Sequence, residues 1–339
     1  MNKTFPLILA AALVAGGCAS PTQTAHSAPP QIQAQRQVTG FYRHQTGNLT
    51  VTALFDGIVH VPRTQMQGIA PERVADLVRQ AYSPEHEKGL DTAVNAFVVQ
   101  RGSETILVDA GTAQCFSESN PQVPSNLQNN GLGQLSANLK AAGIRPERID
   151  HILLTHGHSD HICGAIDQQG KPVFPNAVMW ISDTEYRHWY SDETRSALLP
   201  ELRFLTDQIR TAMAPYERTG RLKRFKAGDE LPAGAQALAT PGHTPGHVSY
   251  LFETGREKLL VWGDVLITPA VQFAEPQALF AADEDKETAK RSRLDMLRQA
   301  AENGWTVAGA HLSFPALGHV GKGRGRTEQY RWIPVEYAP

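Results

Sequence analysis

Three cysteines in 339 residues are too few for a fold held together by disulfides. Neither sign of charge prevails: 32 basic against 34 acidic side chains leave a net −2. That balance gives no reason to expect a nucleic-acid partner, whose phosphates call for a basic face. The apolar run Phe5 to Ala15 falls short of the ~20 residues a permanent membrane helix needs. No internal repeat and no long run of like charge follows it. What is present is the composition of a globular enzyme, 41% apolar and 19% charged, in a chain long enough for a full core. Thirteen histidines are many for this length, and their placement carries the argument.

The first 18 residues read as an export signal. Lys3 gives the positive start, the apolar run follows, and Gly16-Gly17-Cys18 closes it. The stretch Leu13-Val14-Ala15-Gly16-Gly17-Cys18 resembles a bacterial lipobox, which would make Cys18 the lipidated first residue of the mature protein. An ordinary secretory cut nearby is the alternative. Residues 19–40, rich in Pro, Gln, Ala, Ser and Thr, read as a flexible tether, and 41–339 as one catalytic domain. The expected location is the periplasm or the outer membrane, with membrane contact only through an N-terminal lipid. A homodimer stays open. Cys115 and Cys163 remain after processing; a disulfide between them and two separate buried thiols both stay open.

Two β-rich stretches, Leu49 to Leu54 and Ile58 to Val61, flank Asp56-Gly57 and predict a hairpin there. Val94 to Gln100 and Thr105 to Val108 read as strands joined at Gly102. Leu132 to Ala142 has helical spacing and stops at Gly143. Ile149 to Leu154 is a short apolar strand. In the second half, strands are expected at Ala177–Ile181, Ala235–Ala239, Val248–Phe252, Lys258–Trp262 and Thr306–Ala310. Helices are expected from Asp183 onward, over Ala197–Tyr216 and over Asp285–Glu302, the last ending at Asn303-Gly304. Strands and helices alternate in two successive halves, which predicts two sheets between outer helices.

The chemistry concentrates in Thr155-His156-Gly157-His158-Ser159-Asp160-His161, directly after an apolar strand. Histidines two apart in an extended or turning chain point to one side, so His156 and His158 can share a metal. Asp160 and His161 follow the turn and face a second position. Imidazole with carboxylate suits zinc, manganese, cobalt or iron. Three further polar residues end apolar strands: His243 in Pro241-Gly242-His243-Thr244-Pro245-Gly246-His247, Asp264 after Gly263, and His311 after Ala310. Loops at strand ends are where sites are built.

The order His-x-His-x-Asp-His, Gly-His, Gly-Asp, His resembles the metallo-β-lactamase superfamily. The resemblance implies an αββα sandwich with two divalent metals at one edge, zinc first among them. It implies His156, His158 and His243 on one metal, Asp160, His161 and His311 on the other, and Asp264 bridging both. Asp264 and Asp160 are the candidate catalytic carboxylates. Asp109, in Leu107-Val108-Asp109-Ala110-Gly111, matches a carboxylate that orients a ligand histidine. His247 and His319 have no ligand role and read as supporting residues.

Further stretches resemble the methyl parathion hydrolase group: Asn138 to Gly143, Phe174 to Val178, Gly242 to His247, Val271 to Phe273 and His311 to Pro315 with Gly318-His319. Members of that group hydrolyse organophosphate triesters, aryl esters and lactones. Phe116 and Trp189, with Phe204 as a third, match the aromatic wall of its leaving-group pocket. A departure lies between Phe116 and Gly133, where this chain holds extra residues rich in Asn, Gln, Ser and Pro.

The expectation is a dinuclear hydrolase in which two metals share a water and lower its pKa from about 16 towards 7. The resulting hydroxide attacks a small neutral ester, lactone or phosphotriester. Two relatives of the fold compete. Iron-dependent flavodiiron oxidoreductases usually carry Glu where His158 stands and add a flavin domain. The common two-metal β-lactamases lack the bridging Asp264.

Overall fold

The computed structural model describes residues 38–113, 115–117, 120, 123, 131–323 and 329–337. The export signal, Cys18, the tether up to Gln37 and most of the extra segment after Phe116 lie outside the described residues. From Thr39 onward the chain forms one compact unit.

One sheet follows chain order: β1 (Phe41–Thr46), β2 (Leu49–Val61), β3 (Gly89–Arg101), β4 (Glu104–Val108), β5 (His151–Leu153), β6 (Val178–Ser182) and β7 (Leu222–Phe225). Its first four strands pair antiparallel and the rest parallel, with a two-residue strand, Glu85–His86, added to β3. The second sheet also follows chain order: β8 (Ala235–Ala239), β9 (Val248–Glu253), β10 (Lys258–Val261), β11 (Thr306–Ala308), β12 (Leu317–Lys322) and β13 (Tyr330–Pro334). There β10 and β11 pair parallel.

The two sheets face each other. On β3, Phe97 and Val99 point into the core between the sheets, against Tyr250, Phe252 and Val307 of the second sheet. Their neighbours Ala96 and Val98 point the other way, into a second core under helices. This period of two on a strand buried on both faces explains why β3 reads as one apolar run. Helices α1 (Pro71–Gln80), α2 (Leu135–Ala141), α3 (Ser159–Ile162), α4 (Asp183–Tyr190), α5 (Asp192–Ala197), α6 (Phe204–Arg218), α7 (Pro269–Gln272) and α8 (Lys286–Asn303) complete the chain. α2, α4 and α6 pack on the first sheet, and α8 packs on the second, which gives the expected αββα sandwich.

Most expected elements stand where the sequence puts them. α8 is capped by the Asp285 side chain and stopped by Gly304 in a left-handed conformation. The hairpin at Asp56-Gly57 does not form. β2 runs straight through that pair with a bulge, and the turn lies earlier, at Gly47-Asn48 between β1 and β2. Asp56 is buried and spends its carboxylate on the backbone N–H groups of Thr112 (2.8 Å) and Leu135 (2.8 Å). It thus fixes the loop after β4 and the start of α2, two elements far away in sequence. An Asp-Gly pair serves a bulge as well as a turn, because both need a permissive backbone at Gly57, whose φ is 143°. The helices α1, α3 and α7 and the strands β1, β7, β12 and β13 were not expected.

Cys115 and Cys163 are joined as a disulfide, with Cα atoms 6.2 Å apart. It links the loop after β4 to the end of α3, across a sequence separation of 48 residues. Closing a loop of that size in the unfolded chain contributes about 4 kcal/mol on the chain-entropy model. Cys115→Ser is expected to lower the unfolding free energy by about 2–4 kcal/mol, read as a shifted denaturant midpoint. An unchanged midpoint would show that the bond adds no stability.

Candidate metal centre

The parallel strands set the site. Asp109 follows β4, the His156–His161 cluster follows β5, and His243, Asp264 and His311 follow β8, β10 and β11. All five loops leave the carboxyl ends of strands, so the two sheets deliver their polar residues to one edge.

Seven side chains converge there in two groups: His156, His158, His243 and Asp264, and beside them Asp160, His161 and His311. Within each group one ligand atom per residue lies within 4.8 Å of every other, so each can hold a metal ion. His158 Nδ1 is 3.0 Å from His156 Nε2 and 2.9 Å from His243 Nε2. A tetrahedral ion with bonds of 2.0–2.1 Å would hold its ligand atoms about 3.4 Å apart. Asp264 faces both groups. Its Oδ2 lies 3.1 Å from His243 Nε2 and 3.8 Å from His156 Nε2. Its Oδ1 lies 3.1 Å from His161 Nε2 and 3.1 Å from His311 Nε2. Asp160 Oδ2 is 3.4 Å from His161 Nε2 and 3.6 Å from His311 Nε2.

The donor set fits a divalent cation. His161 Nε2 and Asp264 Oδ1 are buried without a hydrogen-bond partner, although each would pay dearly for that in a finished interior. Burial drives the His158 imidazole down to about 3, with His243 adding to the shift, so it stands ready as a neutral donor. His243 is pushed up to about 10: burial opposes the shift, and the carboxylates of Asp264 and Asp283 outweigh it.

Around these seven runs a ring of supports. Asp109 accepts from His161 Nδ1 at 2.8 Å, and its other oxygen takes the Thr155 N–H at 2.8 Å. Its φ of 59° is a rare value for a residue with a Cβ, held by these bonds. His311 Nδ1 donates to the Ala93 carbonyl at 2.8 Å. His247 is a support: its Nε2 accepts the Asp264 N–H at 2.9 Å and so fixes the backbone of the shared carboxylate. His319 lies elsewhere, beside the Trp305 carbonyl.

Three supports were missed. Asp283, from the loop before α8, pairs with His243 Nδ1 at 2.9 Å. Asn95 of β3 donates to the carbonyls of Ala310 and Leu312, on either side of His311. Glu185 of α4 binds both histidine loops. Only Glu185 left a trace in the sequence: Ser182-x-x-Glu185 has the form of a capping box. Half of that box forms, since Ser182 Oγ accepts the Glu185 N–H, but the Glu185 carboxylate turns towards the loops.

Of the three aromatics expected to line a pocket, Trp189 stands beside a ligand candidate, His158. Trp189 is 2% exposed, with its ring 5.4 Å from that of His158 and its Nε1–H donated to Glu185. It stands behind a site histidine as packed core. Phe204 is also buried, at the start of α6, and Phe116 is half-buried beside Cys115.

Residues 89–311 match the model of the metallo-β-lactamase superfamily. The chain belongs to that superfamily, and with this site it is a metal-dependent hydrolase of the αββα fold. The solved hydrolase AbOPH of the β-lactamase superfamily is 35% identical, with a TM-score of 0.82 over 90% of this chain and 100% of that one. AidC, a dizinc quorum-quenching lactonase solved with its product N-hexanoyl-L-homoserine, is 25% identical, with a TM-score of 0.76 over 88% of this chain and 99% of that one. An N-acyl homoserine lactonase of Bacillus cereus is 29% identical over 125 residues, 36% of this chain and 40% of that protein. The chain thus spans less than half the length of that lactonase.

Asp283 tests the ring of supports. A carboxylate on the far nitrogen of a metal-binding histidine fixes its tautomer and raises its basicity. Asp283→Asn is expected to weaken zinc binding about 10–100-fold with the fold intact, measured by competition with a chromophoric chelator. Unaltered affinity would mean that His243 binds no metal.

Proposed function

We propose that the chain is a two-metal hydrolase of lactones and aryl esters, with phosphotriesters as weaker substrates. The carrying observation is the position of Asp264, whose two oxygens each face one of the two groups at 3.1 Å. On this reading His156, His158 and His243 hold one divalent ion, zinc first among the candidates. Asp160, His161 and His311 hold the other, and Asp264 touches both.

Bound ions of this kind polarise the reacting carbonyl or phosphoryl oxygen and bring the pKa of water from about 16 towards 7. The protein does the rest. Asp264 keeps a negative charge at the centre, fixed through the His247 bond to its backbone. The proton of the attacking water needs an exit. The Asp160 side chain is 19% exposed against 4% for Asp264, so Asp160 is the carboxylate able to pass it to solvent. No serine or cysteine nucleophile is required.

The lactone preference is supported by the similarity to AidC and the Bacillus lactonases, and the aryl preference rests on the sequence resemblance to the methyl parathion hydrolase group alone. Trp189 bears on the choice indirectly. Packed against His158, it shapes that imidazole rather than stacking on a leaving group.

The test is Asp264→Asn assayed on an N-acyl homoserine lactone and an aryl ester. Loss of charge at the reacting centre should lower kcat about 10²–10³-fold for both, and dialysis of the wild type against a chelator should abolish both activities until zinc is restored. Near-normal kcat in the variant would remove Asp264 from the centre, and chelator-resistant turnover would remove the metals.

A further inference from the structure

We propose that Glu185 is the positioning residue for one of the two metal positions, the one formed by His156, His158 and His243; this rests on the two-ion reading above.

Glu185 is fully buried, and among the described residues no cation forms an ion pair with it. Its two oxygens are instead met by four donors. Oε1 accepts the Gly157 N–H at 2.9 Å and the Trp189 Nε1–H at 2.6 Å. Oε2 accepts the Thr244 hydroxyl at 2.7 Å and the Gly246 N–H at 3.0 Å. Gly157 stands between His156 and His158. Thr244 follows His243, and Gly246 lies two residues further on. One side chain therefore ties the loop after β5 to the loop after β8, and both loops feed the same metal position. The other position is held by different means: Asp109 on His161, and the Ala93 carbonyl with Asn95 at His311.

The surroundings fit this clamp closely. A Cβ on Gly246 would come within 2.2 Å of the Glu185 nitrogen, and one on Gly157 within 2.5 Å of Trp189 Nε1. Both loops can approach α4 only because these residues are glycines. Ser182, which caps α4, also donates its hydroxyl to the Gly246 carbonyl at 2.7 Å, a second tie between that helix and the second loop.

The carboxylate is specific. Three of the four donors are N–H groups, which cannot accept. A glutamine at this position keeps one oxygen but must aim its amide N–H at one or more of those N–H groups, whichever way it is turned. Glu185→Gln is thus an isosteric change that loosens the clamp without emptying the space.

The test separates the two positions. His311→Ala damages the second position and leaves the first; His158→Ala does the reverse. Zinc affinity is measured by chelator competition in each background, with and without Glu185→Gln. In the His311→Ala background the added change should weaken the remaining ion about 10–100-fold. In the His158→Ala background it should change affinity by less than about twofold, the scatter of independent sites. Thr244→Val, which removes one donor of the four, should show the same selectivity with a smaller loss, and it carries the test if near-UV circular dichroism shows Glu185→Gln to be misfolded. A merely structural role would lower affinity equally in both backgrounds. Equal losses, or no loss in the His311→Ala background, overturn the proposal. If the wild type binds a single ion, the two-ion reading falls by itself; Glu185→Gln must still weaken that ion, or the proposal falls with it.

Discussion

Everything at the site depends on one buried carboxylate. Asp264 is 6% exposed and surrounded by four histidine nitrogens within 3.8 Å. Removing such a charge from water costs several kcal/mol, and imidazoles packed this tightly repel one another once protonated. Divalent ions between them would resolve both problems, because the nitrogens would become donors and the carboxylate would gain an opposite charge. The fold can be understood as the means of bringing these groups together against that cost. Each sheet contributes a parallel pair or more of strands whose carboxyl ends meet at one edge. Neither sheet alone supplies a complete set: His156, His158, Asp160 and His161 come from the first, and His243, Asp264 and His311 from the second.

The supports show how the cost is spread. Three ring nitrogens that point away from the centre are held by partners: Asp109 for His161, Asp283 for His243, the Ala93 carbonyl for His311. These bonds fix tautomers as well as positions. Backbone supports act one level further out. His247, Asn95 and Glu185 hold the loops rather than the rings, and they bind the elements of the two sheets into a rigid frame.

The ligand candidates were legible because metal chemistry permits few residue types, and because each one ends an apolar strand. The inner strands were legible too, since β3 and β10 are buried on both faces and read as continuous apolar runs. The edge elements were not. β7 sets Lys223 and Arg224 side by side between Leu222 and Phe225, and β13 carries Arg331 beside Trp332, so neither shows a clean period. Asp56-Gly57 misled for a different reason: local chemistry allows a turn, and only the distant N–H groups of Thr112 and Leu135 decide for a bulge. Asp283, Asn95 and Glu185 act through contacts of long sequence separation, which a single sequence does not display. Trp189, expected in a leaving-group pocket, is buried with its ring beside that of His158.

Superfamily membership accounts for the centre but leaves substrate choice to the surfaces around it. Several of its relatives are lactonases, and another is a hydroxyacylglutathione hydrolase. The account therefore stands first on the metals. Elemental analysis of protein purified without chelator measures them directly. It should find close to two divalent ions per chain, since the two groups around Asp264 each present a complete set of donors. A constant value of one ion in fully active enzyme would contradict the account.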